Sequence, residues 1–377
     1  MKPNPSFRSE VIVDARMIRH SGIGTYVRGL AGEFQRHSFF KDHILGLALP
    51  PPLFSERGIV EKIIPFHSSV YSVQEQMEYP MRLKQCRLWH APHYNIPLLK
   101  GKAQLVVTVH DLIHWIFKNQ FYSPAEAAYA WFFFRRLAHS ADRIIAVSKR
   151  TRDDLIQHFK VAPEKIRVIY EGVSEDFFEI PDASRRRQIL SKYHLSEPFF
   201  LYVGLLKPHK NVNRLLRVFA KLRAQGKTKS SLVVVGKKDR KYPKGFELTE
   251  GLKTGNGVYY FPQVDSREEL ACLYASAQAL VHPSLYEGFG LTCLEAMASG
   301  TPVTVSRAAS LPEVVGEAGH YFDPYSDDSL SQALIEMEKD ERMRKELAEK
   351  GKLRARQFSW AKTAVATIQV YQELLES

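Results

Sequence analysis

The chain has 377 residues, 45% hydrophobic and 25% charged, with a formal net charge of +12. Such a length exceeds one ordinary core and predicts two domains, and the composition is that of a soluble globular protein. No run of 18 uncharged apolar residues occurs, which excludes a spanning helix; the opening "MKPNPSFRSE" lacks the apolar core of a signal peptide, so a cytoplasmic location is expected.

Charge is spread unevenly. Residues 1–150 hold 20 Lys and Arg against 11 Asp and Glu, whereas residues 151–377 hold 33 against 30. A basic first half suits a polyanionic partner (nucleic acid, an anionic membrane face or a phosphorylated substrate), or is simply a soluble basic surface. The three cysteines, Cys86, Cys272 and Cys293, have no C-x-x-C spacing and read as buried free thiols.

Along the chain, short apolar runs alternate with helical stretches. "EVIVDAR" (10–16) predicts a strand, and "SGIGTYV" (21–27) a tight turn with Gly22 and Gly24 leading into a helix over 25–36. It lacks the third glycine of a dinucleotide fingerprint. "ALPPPLF" (48–54) reads as a loop, and "HAPHYNIP" (90–97) as a polar loop whose His90 and His93 form a poor metal site and would instead line a cleft. "LVVTVHD" (105–111) and "RIIAVSK" (143–149) are further strands, with His110 at the end of the first.

A break without strand pattern lies near 171–195. Beyond it, "FFLYVG" (199–204), "SLVVVG" (231–236), "VYYFP" (258–262), "ALVHP" (279–283) and "PVTVS" (302–306) leave room for crossover helices. Strands apolar throughout and separated by helices predict parallel sheets covered on both faces, hence two doubly wound α/β domains. From about Asp327 the chain reads as helical, ending in the apolar-faced "WAKTAVATIQVYQELL".

The most informative stretch is "YEGFGLTCLEAMASGTP" (286–302). Gly288 and Gly290 follow a strand end and precede a short helix of good formers that closes at Gly300. A helix N-terminus on that edge of a sheet attracts an anion, most often phosphate. Glu287 and Glu295 stand eight apart, about 12 Å along a helix, and carboxylates suit sugar hydroxyls. That layout fits a nucleotide sugar; a capped helix with a solvated glutamate is the plainer alternative. "YVGLLKPHKN" (202–211) adds Gly204, Lys207 and Lys210 at a strand end, and "VVVGKKD" (233–239) adds Gly236, where a nucleobase could lie. Lysines there can neutralise a diphosphate or be merely solvated.

Together "SGIGTYV", "VTVHDL", "VSKRTRDDL", "YVGLLKPHKN" and "HPSLYEGFGLTCLEAMASGTPV" resemble the retaining glycosyltransferases of the GT-B fold, from about residue 10 to the C-terminus. The resemblance implies two Rossmann-like domains facing across a cleft. Residues 1–172 would bind acceptor, 173–355 the nucleotide sugar, and 356–377 would form a helix crossing back to the first domain. It also implies residue roles. Glu287 would contact the transferred sugar, Glu295 the ribose, and Gly288, Phe289, Gly290, Leu291 and Thr292 the sugar and phosphates. Lys210 matches the diphosphate lysine, Gly24 lies in the N-terminal glycine loop, and His110 corresponds to a histidine near the reacting carbon. Where many members carry arginine after the glycine matching Gly204, this chain has Leu205, and Lys207 would supply the missing charge.

The expected reaction is transfer of a hexose, mannose from GDP-mannose as first choice, to a saccharide or polyprenyl-linked acceptor in cell-surface polysaccharide synthesis. A nucleotide-sugar epimerase or hydrolase on the same scaffold is the alternative. No D-x-D motif occurs, so no metal or other cofactor is expected. The segment around "WFFFRRL" (131–137), with Lys118, Arg135, Arg136, Arg143, Lys149, Arg150 and Arg152, either meets an anionic membrane or pairs core aromatics with solvated bases. No RNA-recognition or helix-turn-helix signature accompanies the charge, so nucleic acid is not expected.

Overall fold

A computed structural model describes residues 10–43, 45–50, 62–239, 241–242 and 257–376. The chain divides into two compact units: residues 1–172 with 359–377, and residues 173–358.

Unit 1 is built on a seven-stranded parallel sheet in the order β3-β2-β1-β4-β5-β6-β7. The strands are β1 (Val11–Asp14), β2 (Leu45–Leu49), β3 (Lys62–Pro65), β4 (Leu88–Ala91), β5 (Gln104–Val109), β6 (Arg143–Ala146) and β7 (Ile166–Val168). β1, β2 and β4 are buried at every position, as sheets covered on both faces require. The chain runs outward from β1 to β3, then returns to β4 on the other side of β1. The strand order therefore reverses between β1 and β4, the place where open α/β sheets bind ligands. The helix Pro124–Ser140 starts at a capping box of Ser123 and Glu126, with Pro124 in its first turn. The last helix, Trp360–Leu375, closes the unit: Tyr371 Oη lies 2.6 Å from His90 Nδ1 on β4.

Unit 2 has a six-stranded parallel sheet, β10-β9-β8-β11-β12-β13, from β8 (Phe199–Val203), β9 (Ser231–Val235), β10 (Val258–Phe261), β11 (Ala279–His282), β12 (Val303–Ser306) and β13 (Gly319–Phe322). Its order reverses between β8 and β11. Phe200, Tyr202, Leu216, Phe219, Val234 and Val281 meet in its core.

Several expectations are corrected. The first helix runs over Ile23–Phe34, two residues earlier than the pattern suggests. Ala48 and Leu49 end β2 rather than opening a loop, and residues 51–54 of that predicted loop lie outside the described residues. His90 is no loop residue: it sits on β4, fully buried, its Nε2 2.8 Å from Thr108 Oγ1. With both ring nitrogens bonded inside the core, it lines no cleft. All three cysteines are buried and free.

Candidate active site

Within unit 2, the turns after β8 and β11 bring together what the sequence separates. Lys210 Nζ donates to both carboxylate oxygens of Glu287, at 2.7 and 2.8 Å. Glu287 Oε1 also accepts from Ser284 Oγ at 2.5 Å and lies 2.7 Å from His282 Nε2. Burial alone would raise the Glu287 pKa, but Lys210 and His282 hold it well below its ordinary 4.5. The Glu287 carboxylate is therefore a fixed, ionised acceptor.

The helix Leu291–Ala298 begins one turn later at Gly290, φ 115°, and no side chain caps it. No side chain accepts from its first backbone N–H groups, the arrangement in which a helix start can receive an anion. A Cβ at Gly290 would press to 2.9 Å on Leu311. The bend before it is pinned from behind, where Ser310 Oγ donates to the carbonyls of Glu287 and Phe289, both at 2.9 Å. Phe289 itself is buried. Thr292 Oγ1 lies 3.3 Å from His282 Nδ1, so the helix start, His282 and Glu287 form one connected chain. Glu295, in the second turn, accepts from Tyr274 Oη at 3.0 Å, and burial pushes its pKa up to about 7.

Gly204 and Gly236 meet just beyond the ends of β8 and β9. A Cβ on Gly236 would lie 1.8 Å from the Gly204 carbonyl oxygen, so only glycine fits where these two strand ends meet. Lys207 Nζ approaches Asp239 at 3.7 Å and lies outside the Lys210–Glu287 cluster. Sequence reasoning missed His282 and Ser284; the "HPS" at the end of β11, beside the glutamate it supports, was the available signal.

Unit 1 places the other predicted residues at its own sheet edge. Gly22 caps the helix Ile23–Phe34, and Gly24 is buried in its first turn. His110 Nδ1 is 2.7 Å from Glu171 Oε1, and Nε2 donates to the Pro92 carbonyl at 3.0 Å. Burial disfavours its charge, but Glu171 outweighs that and raises its pKa above the ordinary 6.5. Both nitrogens are committed within unit 1.

Around the β1–β4 reversal lies a buried network the sequence did not announce. Arg16 donates to Asp14 through Nε at 2.8 Å and Nη2 at 2.6 Å, to Glu75 Oε2 at 2.9 Å and to Tyr79 Oη at 2.7 Å. Glu75 Oε1 accepts from Asn95 Nδ2 at 2.5 Å and from the Tyr71 backbone N–H at 3.0 Å. Tyr129 Oη donates to Asn95 Oδ1.

The aromatics of "WFFFRRL" divide: Phe133 and Phe134 are core, whereas Trp131 and Phe132 are exposed. A cavity of about 400 Å³ beside them is lined by Trp131, Arg135, His139, His158, Lys160 and Lys165. Among the described residues, no helix is long and apolar enough to cross a membrane, and no three His, Cys, Asp or Glu side chains group as metal ligands.

Residues 20–177 match the family described as Glycosyltransferase Family 4 and residues 186–354 that described as Glycosyl transferases group 1. The chain is 32% identical over 289 residues to the O-antigen chain mannosyltransferase B of Escherichia coli, covering 76% of this chain and 74% of that protein. It is also 32% identical over 298 residues to the MMP alpha-(1->4)-mannosyltransferase of Mycolicibacterium hassiacum, 74% of this chain and 68% of that one. Among solved structures, a sucrose-phosphate synthase from Thermosynechococcus elongatus superposes with a TM-score of 0.78 at 21% identity, covering 98% of this chain and 100% of the other. Anabaena HepE in complex with UDP and glucose does so with 0.78 at 17%, covering 97% and 100%.

Proposed function

Because this chain belongs to the group 1 glycosyltransferases of the GT-B fold, we propose that it is a retaining, metal-independent hexosyltransferase using GDP-mannose and a saccharide or polyprenyl-linked acceptor. The observation that carries this reading is the Lys210–Glu287–His282 cluster beside the uncapped helix start at Gly290, at the strand-order reversal of unit 2. The mannosyl choice is supported by the names of the relatives.

In the reaction, the bond from the anomeric carbon to the phosphate oxygen breaks and the acceptor oxygen bonds to that carbon on the same face. The acceptor's proton passes to the departing phosphate oxygen. Lys210 and the amides of the helix start stabilise the negative charge gathering on the diphosphate. Glu287 accepts hydrogen bonds from the sugar hydroxyls; Glu295 does so from the ribose.

Donor titration by calorimetry, with GDP-, UDP- and ADP-linked sugars, tests this reading. GDP-mannose should bind, and turnover should require a saccharide acceptor; donor consumed equally fast without one would favour the epimerase or hydrolase. Ribose hydroxyls stabilise the ionised form of Glu295, whose free-protein pKa is about 7. Binding therefore releases a proton and strengthens as pH rises: about tenfold between about pH 6 and pH 8. Glu295→Gln should flatten that slope; an unchanged slope removes Glu295 from the ribose.

We also propose that the exposed Trp131 and Phe132, with the cations lining the neighbouring cavity, rest on an anionic membrane surface. Co-sedimentation with phosphatidylglycerol vesicles should exceed that with phosphatidylcholine and fall with salt and in an Arg135→Glu/Lys165→Glu variant. Equal sedimentation with both lipids would sink the idea.

A further inference from the structure

Beside the network at the β1–β4 reversal of unit 1, the His93 ring holds a buried donor with no partner among the described residues. His93 is 2% exposed. Its Nδ1 accepts from the Asn95 backbone N–H at 3.0 Å, so the ring proton sits on Nε2. Nε2 is buried and has no hydrogen-bond partner among the described residues. The charged and amide groups of the network already have partners: Asp14, Arg16 and Glu75 pair with one another, and both ends of the Asn95 amide are bonded. Burial lowers the His93 pKa to about 4, which keeps the ring neutral near pH 7.

An unpaired buried donor is costly, and one at a ligand edge points to a partner that arrives with the ligand. Its cover supports this. The Tyr71 ring lies 6.0 Å from the His93 ring and 5.9 Å from that of Tyr129. Tyr71 is 49% exposed and holds φ 68°, a left-handed conformation strained for a bulky residue. An exposed aromatic face above a buried neutral donor is the pairing that a sugar ring uses, C–H face on the ring and hydroxyl on the N–H.

We propose that His93 and Tyr71 form the acceptor-saccharide subsite, in which His93 Nε2–H donates to a sugar oxygen once the Tyr71 ring has swung aside to stack on the sugar. This rests on the reading of unit 1 as the acceptor-binding unit. His93 is an acceptor-binding residue here and takes no proton in the reaction.

The test starts without donor. In protein labelled with ¹⁵N-histidine, methyl α-mannoside should shift the His93 Nε2 resonance and leave its tautomer unchanged. No shift up to the solubility limit of the probe overturns the proposal. With GDP-mannose as donor, His93→Leu should raise the acceptor KM by roughly five- to tenfold, the weight of one hydrogen bond, with the donor KM unchanged. His93→Gln, which keeps a donor, should recover most of the loss. Tyr71→Ala should raise the acceptor KM while Tyr71→Phe does not. If both His93 variants lose activity with a lowered melting temperature, or if the donor KM rises in step, His93 is structural and the proposal fails. Failure of GDP-mannose to bind wild-type protein would instead indict the donor reading, because the donor-free titration stands apart from it.

Discussion

Lys210→Ala should slow transfer by about 10²–10³-fold, the usual effect of removing one preorganised donor from a developing anion. The effect belongs in kcat, because charge on the leaving diphosphate grows toward the transition state. Steady-state kinetics against a donor-affinity measurement separates the two; near wild-type turnover would move the role to Lys207. The same substitution bears on stability. Glu287 is buried and shares its charge with Lys210 and His282. Its folded pKa lies below the ordinary 4.5, so its stabilisation is present above that value and lost as pH falls through the folded one. Without Lys210 the acid side of the stability profile should move toward neutrality. Lys210→Met combined with Glu287→Gln should restore melting behaviour but not activity, which separates folding from chemistry.

The second large effect is expected in unit 1. Arg16→Met should destabilise the unit by about 3–5 kcal/mol, because it leaves two buried carboxylates with no cation between them. Asp14 and Glu75 are each about 1% exposed, and the guanidinium that joins them also stacks 3.9 Å over the Phe66 ring. Urea unfolding should show the unit 1 transition at a lower midpoint. Adding Asp14→Asn and Glu75→Gln to Arg16→Met should regain part of the loss, because no unpaired charge then remains. A midpoint unchanged in Arg16→Met would mean that water reaches the carboxylates and that the network is not a closed one.

How far the sequence foretells these sites depends on what each strand carries. Apolar runs such as "FFLYV" and "SLVVV" announce themselves, and β8 and β9 lie where they predict. β2 (LGLAL), β4 (LWHA), β7 (IRV) and β13 (GHYF) escape notice because they are short and hold glycine, histidine or arginine. In β4 the polar residue is inward and paid for by a bond from a helix some 280 residues downstream, His90 to Tyr371, which no local window can see. Lys210 and Glu287 are each legible as site residues, but their ion pair depends on β8 lying next to β11. His282 and Ser284 look like strand-end residues until the carboxylate they support is placed. The Asp14–Arg16–Glu75 network needs three elements at once, and nothing in the spacing of those residues suggests it.

The division of the chain has a consequence for how it is made. Unit 2 is one uninterrupted segment, whereas unit 1 takes a helix from residues 359–377, which follow all of unit 2 in the chain. During synthesis the second unit therefore leaves the ribosome whole before the first receives its closing piece. The usual N-to-C order of domain completion is inverted. Until then the core face of β4, His90 included, waits uncovered, and a chain that stopped before Ser359 would damage the unit that was begun first.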